Sequence, residues 1–243
     1  VTEIIAADRS LIPALDLRSV RDLPDVLTAV QEVPFVKAVK PGFTLGLDNL
    51  KETRQIIREY KPDWKAIYDH QKAGCDIPRN GENFAYKMVE AGIDAAIIFP
   101  LGGAETEVAW IKALQDAMVP VIVGAEMTQE GFFVSEGGFI ADEAPERMFR
   151  IAAGMGVRHF FLPGNKPEKI LYYRELITQF TEGEDFTVYS CGYFKQGGDP
   201  AKATKVAGRR SHYVVGDTIV KAGGIAEMKA AALRASAEFQ EAA

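Results

Sequence analysis

Four ionisable side chains fall within eight residues of this chain: Asp69, His70, Lys72 and Asp76. They follow a short apolar run, Ala66-Ile67-Tyr68, and precede Ile77-Pro78. Two carboxylates bracket one lysine. A carboxylate beside an ammonium favours its charged form, so such a group supplies a fixed positive charge. A solvated loop could carry the same residues. Placed directly after a strand-like run, they point to a site at the C-terminal end of a strand.

The elements that would position such a site alternate regularly. Short apolar runs read as strands at Leu11–Asp16, Pro34–Val39, Trp64–Tyr68, Ile93–Phe99, Val119–Glu126, His159–Leu162, Phe186–Cys191 and His212–Val215. Amphipathic stretches between and after them read as helices at Val20–Val30, Leu47–Tyr60, Glu82–Ala91, Ala104–Ala117, Glu143–Gly154, Pro167–Phe180, Asp199–Ala207 and Ile225–Phe239. Gly92 is a natural C-terminal cap. The strands are continuous apolar runs, as parallel strands covered by helices should be. Eight such pairs in 243 residues predict a single (β/α)8 TIM barrel spanning residues 1–243. A doubly wound open sheet is the alternative.

In a barrel of this kind the site lies at the C-terminal face. The residues that end the strands there are Asp16, Lys40, Asp69 with Lys72 and Asp76, Phe99-Pro100, Glu126 with Thr128, Pro163-Gly164, Cys191-Gly192 and Gly216-Asp217. Three acids and two lysines come from the first three strand ends, which implies a charged pocket. Each could also be an ordinary loop charge or cap. After the seventh strand, Gly192 and Gln196-Gly197-Gly198 precede a helix at Asp199, the outline of an anion cradle built from backbone N–H groups and a helix N-terminus. A plain turn has the same outline. The segment from Met127 to Ile140 is longer than the usual ~2–6-residue connection. His159 and His212 begin strands, so they are expected at the opposite end from the site.

Composition narrows the function classes. The chain is 47% hydrophobic and 26% charged, with a net charge of −6. That argues against nucleic acid or an anionic membrane as a partner. No apolar run reaches the ~18 residues of a membrane span. Cys75 and Cys191 form neither a disulfide framework nor a metal-ligand spacing. The expectation is a protein of the reducing cytoplasm, and an anionic small ligand remains possible.

Several segments, taken together and in order, resemble the orotidine 5'-monophosphate decarboxylases, particularly the archaeal type, within the wider decarboxylase/hexulose-phosphate synthase suprafamily. They are Leu11-Ile12-Pro13-Ala14-Leu15-Asp16, Val39-Lys40-Pro41-Gly42-Phe43, Asp76-Ile77-Pro78, Ala91-Gly92-Ile93-Asp94-Ala95, Glu126-Met127-Thr128, Pro163-Gly164 with Pro167-Glu168-Lys169-Ile170, Gln196-Gly197-Gly198-Asp199-Pro200 and Val214-Val215-Gly216. The sugar-phosphate branches of the suprafamily typically place a glutamate where Lys40 stands.

The resemblance implies a homodimer that converts orotidine 5'-monophosphate to UMP in pyrimidine biosynthesis. Lys40, Asp69, Lys72 and Asp76 would form an alternating charge network, with Asp76 and Ile77 reaching the partner's site. Asp16 would hold a ribose hydroxyl. Thr128 would contact the pyrimidine and bridge to Gln196 on the phosphate side, with Pro163, Gly197, Gly198, Gly216 and Asp217 also at the substrate. Loss of CO2 leaves a carbanion at C6, which Lys72 would stabilise and protonate. The segment Met127–Ile140 would serve as a lid.

Three departures stand out. The family pattern Asp-x-Lys-x-x-Asp is stretched here to Asp69-x-x-Lys72-x-x-x-Asp76, so either Asp69 or His70 fills the first acidic position. Asp217 replaces an arginine that binds phosphate, and Lys195 or Lys221 could compensate. The threonine expected two residues after Pro78 is absent; Arg79, Asn80 and Gly81 stand there. Two alternatives follow: a metal-dependent sugar-phosphate enzyme of the same suprafamily, and a diverged barrel that binds a nucleotide or another anion without decarboxylating it.

Overall fold

The computed structural model describes residues 3–70 and 73–242, so Lys72 lies outside the described residues. Eight parallel strands close into a barrel in the order β1 to β8, alternating with helices. It is a single (β/α)8 TIM barrel. The strands are β1 (Arg9–Leu15), β2 (Ala38–Pro41), β3 (Lys65–Asp69), β4 (Ala95–Ile98), β5 (Val121–Gly124), β6 (His159–Pro163), β7 (Thr187–Cys191) and β8 (Ser211–Val215). The helices are α1 (Leu23–Val30), α2 (Phe43–Tyr60), α3 (Asn80–Ala91), α4 (Ala104–Asp116), α5 (Ala144–Gly154), α6 (Pro167–Phe180), α7 (Pro200–Ala207), α8 (Asp217–Val220) and α9 (Ile225–Glu241). Sequence periodicity missed α8, whose four residues are too few to show a helical repeat. It also placed the second strand too early: Pro34 has no N–H to donate, Val36 makes only an isolated bridge to Leu11, and the regular strand begins at Ala38.

Alternation along each strand sorts the apolar side chains into two layers. Ile12, Ala38, Ile67, Ala95, Ile97, Ile122, Phe161, Tyr189 and Val214 fill the barrel interior, joined by Ile4 and Ile5 from the N-terminal segment. Leu11, Val39, Ala66, Tyr68, Ala96, Ile98, Phe160 and Val188 face the helices. On β3 this parity sends Ile67 and Asp69 inward, and Ala66 and Tyr68 outward. The registers Ala14↔Lys40 and Val39↔Ala66 then bring the ends of the first three strands level.

His212 and His159 are buried at the starts of their strands, away from the C-terminal rim, as their sequence position implies. His212 Nδ1 is 2.8 Å from Ser10 Oγ, and burial, then the neighbouring His159, pushes its pKa down to about 3. Among the described residues no helix is long and apolar enough to cross a membrane.

One buried carboxyl is a local liability. Glu107 on α4 is buried, and its Oε1 has no hydrogen-bond partner among the described residues. Burial pushes its pKa up to about 8 from an ordinary value of 4.5. A carboxyl whose folded pKa is raised contributes stability that is complete below the unfolded pKa and lost as pH rises through the folded one. The loss therefore runs between pH 4.5 and about 8. Glu107→Leu is expected to raise the melting temperature by roughly 5 °C at pH 8, at ~2–4 °C per kcal/mol for a chain of this size. Its advantage should shrink toward pH 5. Parallel melting curves of both proteins check this; an advantage independent of pH would contradict it.

Candidate active site

A cavity of about 150 Å³ opens at the C-terminal mouth of the barrel. Asp16, Lys40, Asp69, Phe99, Glu126 and Cys191 line it from below and from the sides, and Thr128, Lys195, Gln196, Gly216 and Asp217 from the loops. Pro163 is part of the same wall.

At its floor Lys40 Nζ lies 2.7 Å from Asp69 Oδ2 and 3.8 Å from Asp16 Oδ1. The Lys40 and Asp69 side chains are buried, whereas Asp16 is half exposed. Burial alone would lower the Lys40 pKa; the charge of Asp69, then that of Asp16, more than offsets it, and the pKa is raised. The ammonium is therefore a permanent charge and not a base. Asp16 keeps its place because residue 42 is glycine: a Cβ there would sit 2.5 Å from Asp16 Oδ1.

The choice between Asp69 and His70 is decided by strand parity. Asp69 ends β3 pointing inward, and His70 points to the helix side, where its Nδ1 bonds the Tyr68 hydroxyl. His70 does not line the cavity. Asp76 and Ile77 do not line it either. They sit on an exposed loop, with Asp76 held by Asn80 Nδ2 at 2.7 Å and by the Ile77 N–H.

The fifth and sixth strand ends carry a cluster that periodicity did not single out. Glu126 is buried; its Oε1 accepts from Lys166 Nζ at 2.7 Å and its other oxygen from the Tyr173 hydroxyl. Asn165 Nδ2 donates to the Thr128 carbonyl at 2.9 Å. These contacts fix the start of the β5–α5 connection, where Thr128 Oγ1 donates to Gln196 Oε1 at 3.3 Å. Lys166, Asn165 and Tyr173 are ordinary loop and helix residues in the sequence, and no spacing marks them.

The long segment 127–140 is folded on itself. Glu136 accepts from the N–H groups of Phe132 and Phe133, and Phe133 bridges to Ile140. Phe132 and Phe133 are buried, while Phe139 is wholly exposed. Only Met127 and Thr128 of this segment line the cavity.

Two N–H groups of the anion cradle expected after β7 are already engaged within the loop. The Gly197 N–H bonds the Phe194 carbonyl and the Gly198 N–H bonds the Gly192 carbonyl, so both are used inside the loop. The N-terminus of α7 is capped by Asp199, whose Oδ1 takes the N–H groups of Ala201 and Lys202. The cationic group at this end is Lys195, which lines the cavity from a turn with Phe194 in the left-handed region at φ 58°. Asp217 is paired with Lys221 at 2.7 Å on the exposed rim. Arg209 and Arg210 pair with Asp185, Glu3 and Asp8, at the opposite end from the cavity.

Cys191 faces Lys40, but burial raises its thiol to about 12 and keeps it protonated. Among the described residues no three His, Cys, Asp or Glu side chains are grouped to hold a metal ion.

No family model matches the sequence. Solved structures do match it along nearly its whole length. Orotidine 5'-monophosphate decarboxylase from Methanocaldococcus jannaschii, in complex with the inhibitor BMP, superimposes with a TM-score of 0.79 at 22% identity, covering 95% of this chain and 98% of that one. This chain has the orotidine 5'-monophosphate decarboxylase fold. The orotidine 5'-phosphate decarboxylase from Pyrococcus horikoshii matches at a TM-score of 0.75 and 22% identity, covering 95% and 99%. An uncharacterized conserved protein from Geobacillus kaustophilus matches as well, at a TM-score of 0.68 and 19% identity, covering 94% of this chain and 99% of that one.

Proposed function

We propose that this protein removes CO2 from orotidine 5'-monophosphate to give UMP, as a homodimer, without a cofactor. The observation that carries this is the buried Lys40 ammonium, held between Asp69 and Asp16 at the floor of a cavity in a decarboxylase-like barrel. A metal-dependent sugar-phosphate enzyme would need those acids to converge on a metal; they converge on an ammonium.

In this reading the C6–carboxylate bond breaks, its electron pair stays on C6, and Lys72 delivers the proton that forms the new C6–H bond. Lys40 and Asp69 hold the electrostatic field in a cavity sheltered from water. Asp16 takes a ribose hydroxyl, and Thr128 contacts the pyrimidine and bridges to Gln196 on the phosphate side. Asp76 and Ile77 do not line their own cavity and complete the partner's.

The phosphate is taken by Lys195, since Asp217 is engaged by Lys221. Lys195→Met is expected to weaken UMP binding about tenfold, the loss of one charge-assisted contact. Binding of uridine, which lacks the phosphate, should not change. Titration calorimetry with both ligands checks this.

The decisive test of the whole reading is a direct absorbance assay of orotidylate loss, with and without Mg2+. Metal-independent turnover supports it. UMP binding with no turnover would instead identify a diverged nucleotide-binding barrel. Mg2+-dependent stabilisation by a pentose phosphate would identify the sugar-phosphate branch.

A further inference from the structure

The loop from Ala73 to Arg79 is fastened to its own subunit along its whole length. The Phe99 N–H donates to the Ala73 carbonyl at 2.8 Å, and the Gly102 N–H to the Gly74 carbonyl at 3.1 Å. Then two side chains of α4, four residues apart and so on one helix face, take the next turn of the loop. Thr106 Oγ1 donates to the Asp76 carbonyl at 2.8 Å, and Trp110 Nε1 donates to the Ile77 carbonyl at 3.2 Å. Both donors are buried. Gly81 at the start of α3 packs on Trp110 so closely that a Cβ would lie 3.0 Å from its Cα.

These bonds hold backbone carbonyls and leave the side chains presented outward. Ile77 remains 46% exposed, and neither it nor Asp76 touches its own cavity. A loop fastened so thoroughly, with its tip exposed and outside its own cavity, is pre-organised to serve another surface. Pre-organisation removes the ordering cost at assembly and fixes the geometry that catalysis needs.

We infer that Thr106 and Trp110 are positioning residues for the neighbouring subunit's active site, holding Asp76 and Ile77 at the height and angle where the partner's cavity receives them. The inference rests on the dimeric decarboxylase reading above. It makes the effect of a substitution on α4 appear in the other subunit, which a role confined to local stability would not do.

Subunit complementation tests it. Thr106→Val with Trp110→Phe keeps the packing and removes both donors. Lys40→Ala removes the floor ammonium and leaves the loop intact. Heterodimers of these two chains, isolated through two different affinity tags, contain one site with Lys40 and an intact incoming loop, and one site with neither. The T106V/W110F homodimer should lose ~10–100-fold in kcat/KM, the order expected for a displacement of about 1 Å. The heterodimer should recover about half of the wild-type rate.

A heterodimer no more active than the homodimers would overturn the inference, as would a T106V/W110F homodimer of wild-type activity. Absence of orotidylate turnover by the wild-type protein would instead overturn the decarboxylase reading itself. Single Trp110→Phe chains, with melting curves near wild type, provide the same comparison if the double substitution fails to fold.

Discussion

Lys40→Met is expected to lose stability and, if the proposed decarboxylation holds, activity as well. Lys40 and Asp69 are buried together at 2.7 Å. Taking one member from a buried ion pair typically costs ~3–5 kcal/mol, because the other charge stays in a poorly hydrated site. Urea unfolding at pH 7 should show a loss of that order. In the variant the Asp69 carboxylate sits beside a methyl group instead of the Lys40 ammonium. Activity should fall by about 10²–10³, the usual cost of removing one fixed electrostatic group from an active site. A variant as stable as wild type at pH 7 would mean that the ion pair is not buried as described.

Lys72→Ala is expected to have the larger effect on turnover and almost none on stability. Lys72 follows Asp69, the last residue of β3, by three positions. In the proposed mechanism it both stabilises the C6 carbanion and protonates it. The first role is worth ~10²–10³ and the second ~10²–10⁴, and losses from one group are not separable into a sum. A drop of at least about 10⁴ in kcat is expected, with a melting temperature close to wild type. Near-normal turnover would remove Lys72 from the mechanism. The contrast is diagnostic: Lys40→Met should cost folding energy, and Lys72→Ala should cost chemistry alone. The pairing of His70 with Tyr68 on the helix side assigns no such loss to a substitution at His70.

Much of this site can be read without a structure. Asp16, Lys40 and Asp69 stand at or just beyond strand ends, which marks them as candidates for the barrel's C-terminal rim. The closed barrel adds that they share the parity of Ile12, Ala38 and Ile67, which face its interior. The barrel itself follows from eight alternations, because each covered parallel strand needs its helix. Even the contact between Thr128 and Gln196 is anticipated by the resemblance, though only the coordinates bring the two within 3.3 Å.

Where the backbone leaves the strand, local pattern loses its hold. Past Asp69 the spacing to Lys72 and Asp76 carries no parity. Only the closed barrel shows that Asp69 belongs to the cavity while Asp76 does not line it, its carbonyl held by Thr106. The glycines after β7 suggest an anion cradle by composition. The N–H groups of Gly197 and Gly198 are already used inside the loop, because a tight turn satisfies its own backbone first. Asp217 reads as a repulsive charge, and Lys221 one helical turn later pairs with it. Glu126 reads as one more rim acid, until Lys166 and Tyr173 close on it from α6 and its approach. The sequence by itself determined the barrel and the acids and lysine at its strand ends, because strand and helix periods are local. Which charges meet, and which are spent before a ligand arrives, was decided by tertiary packing, because those partners lie tens of residues apart and no period connects them.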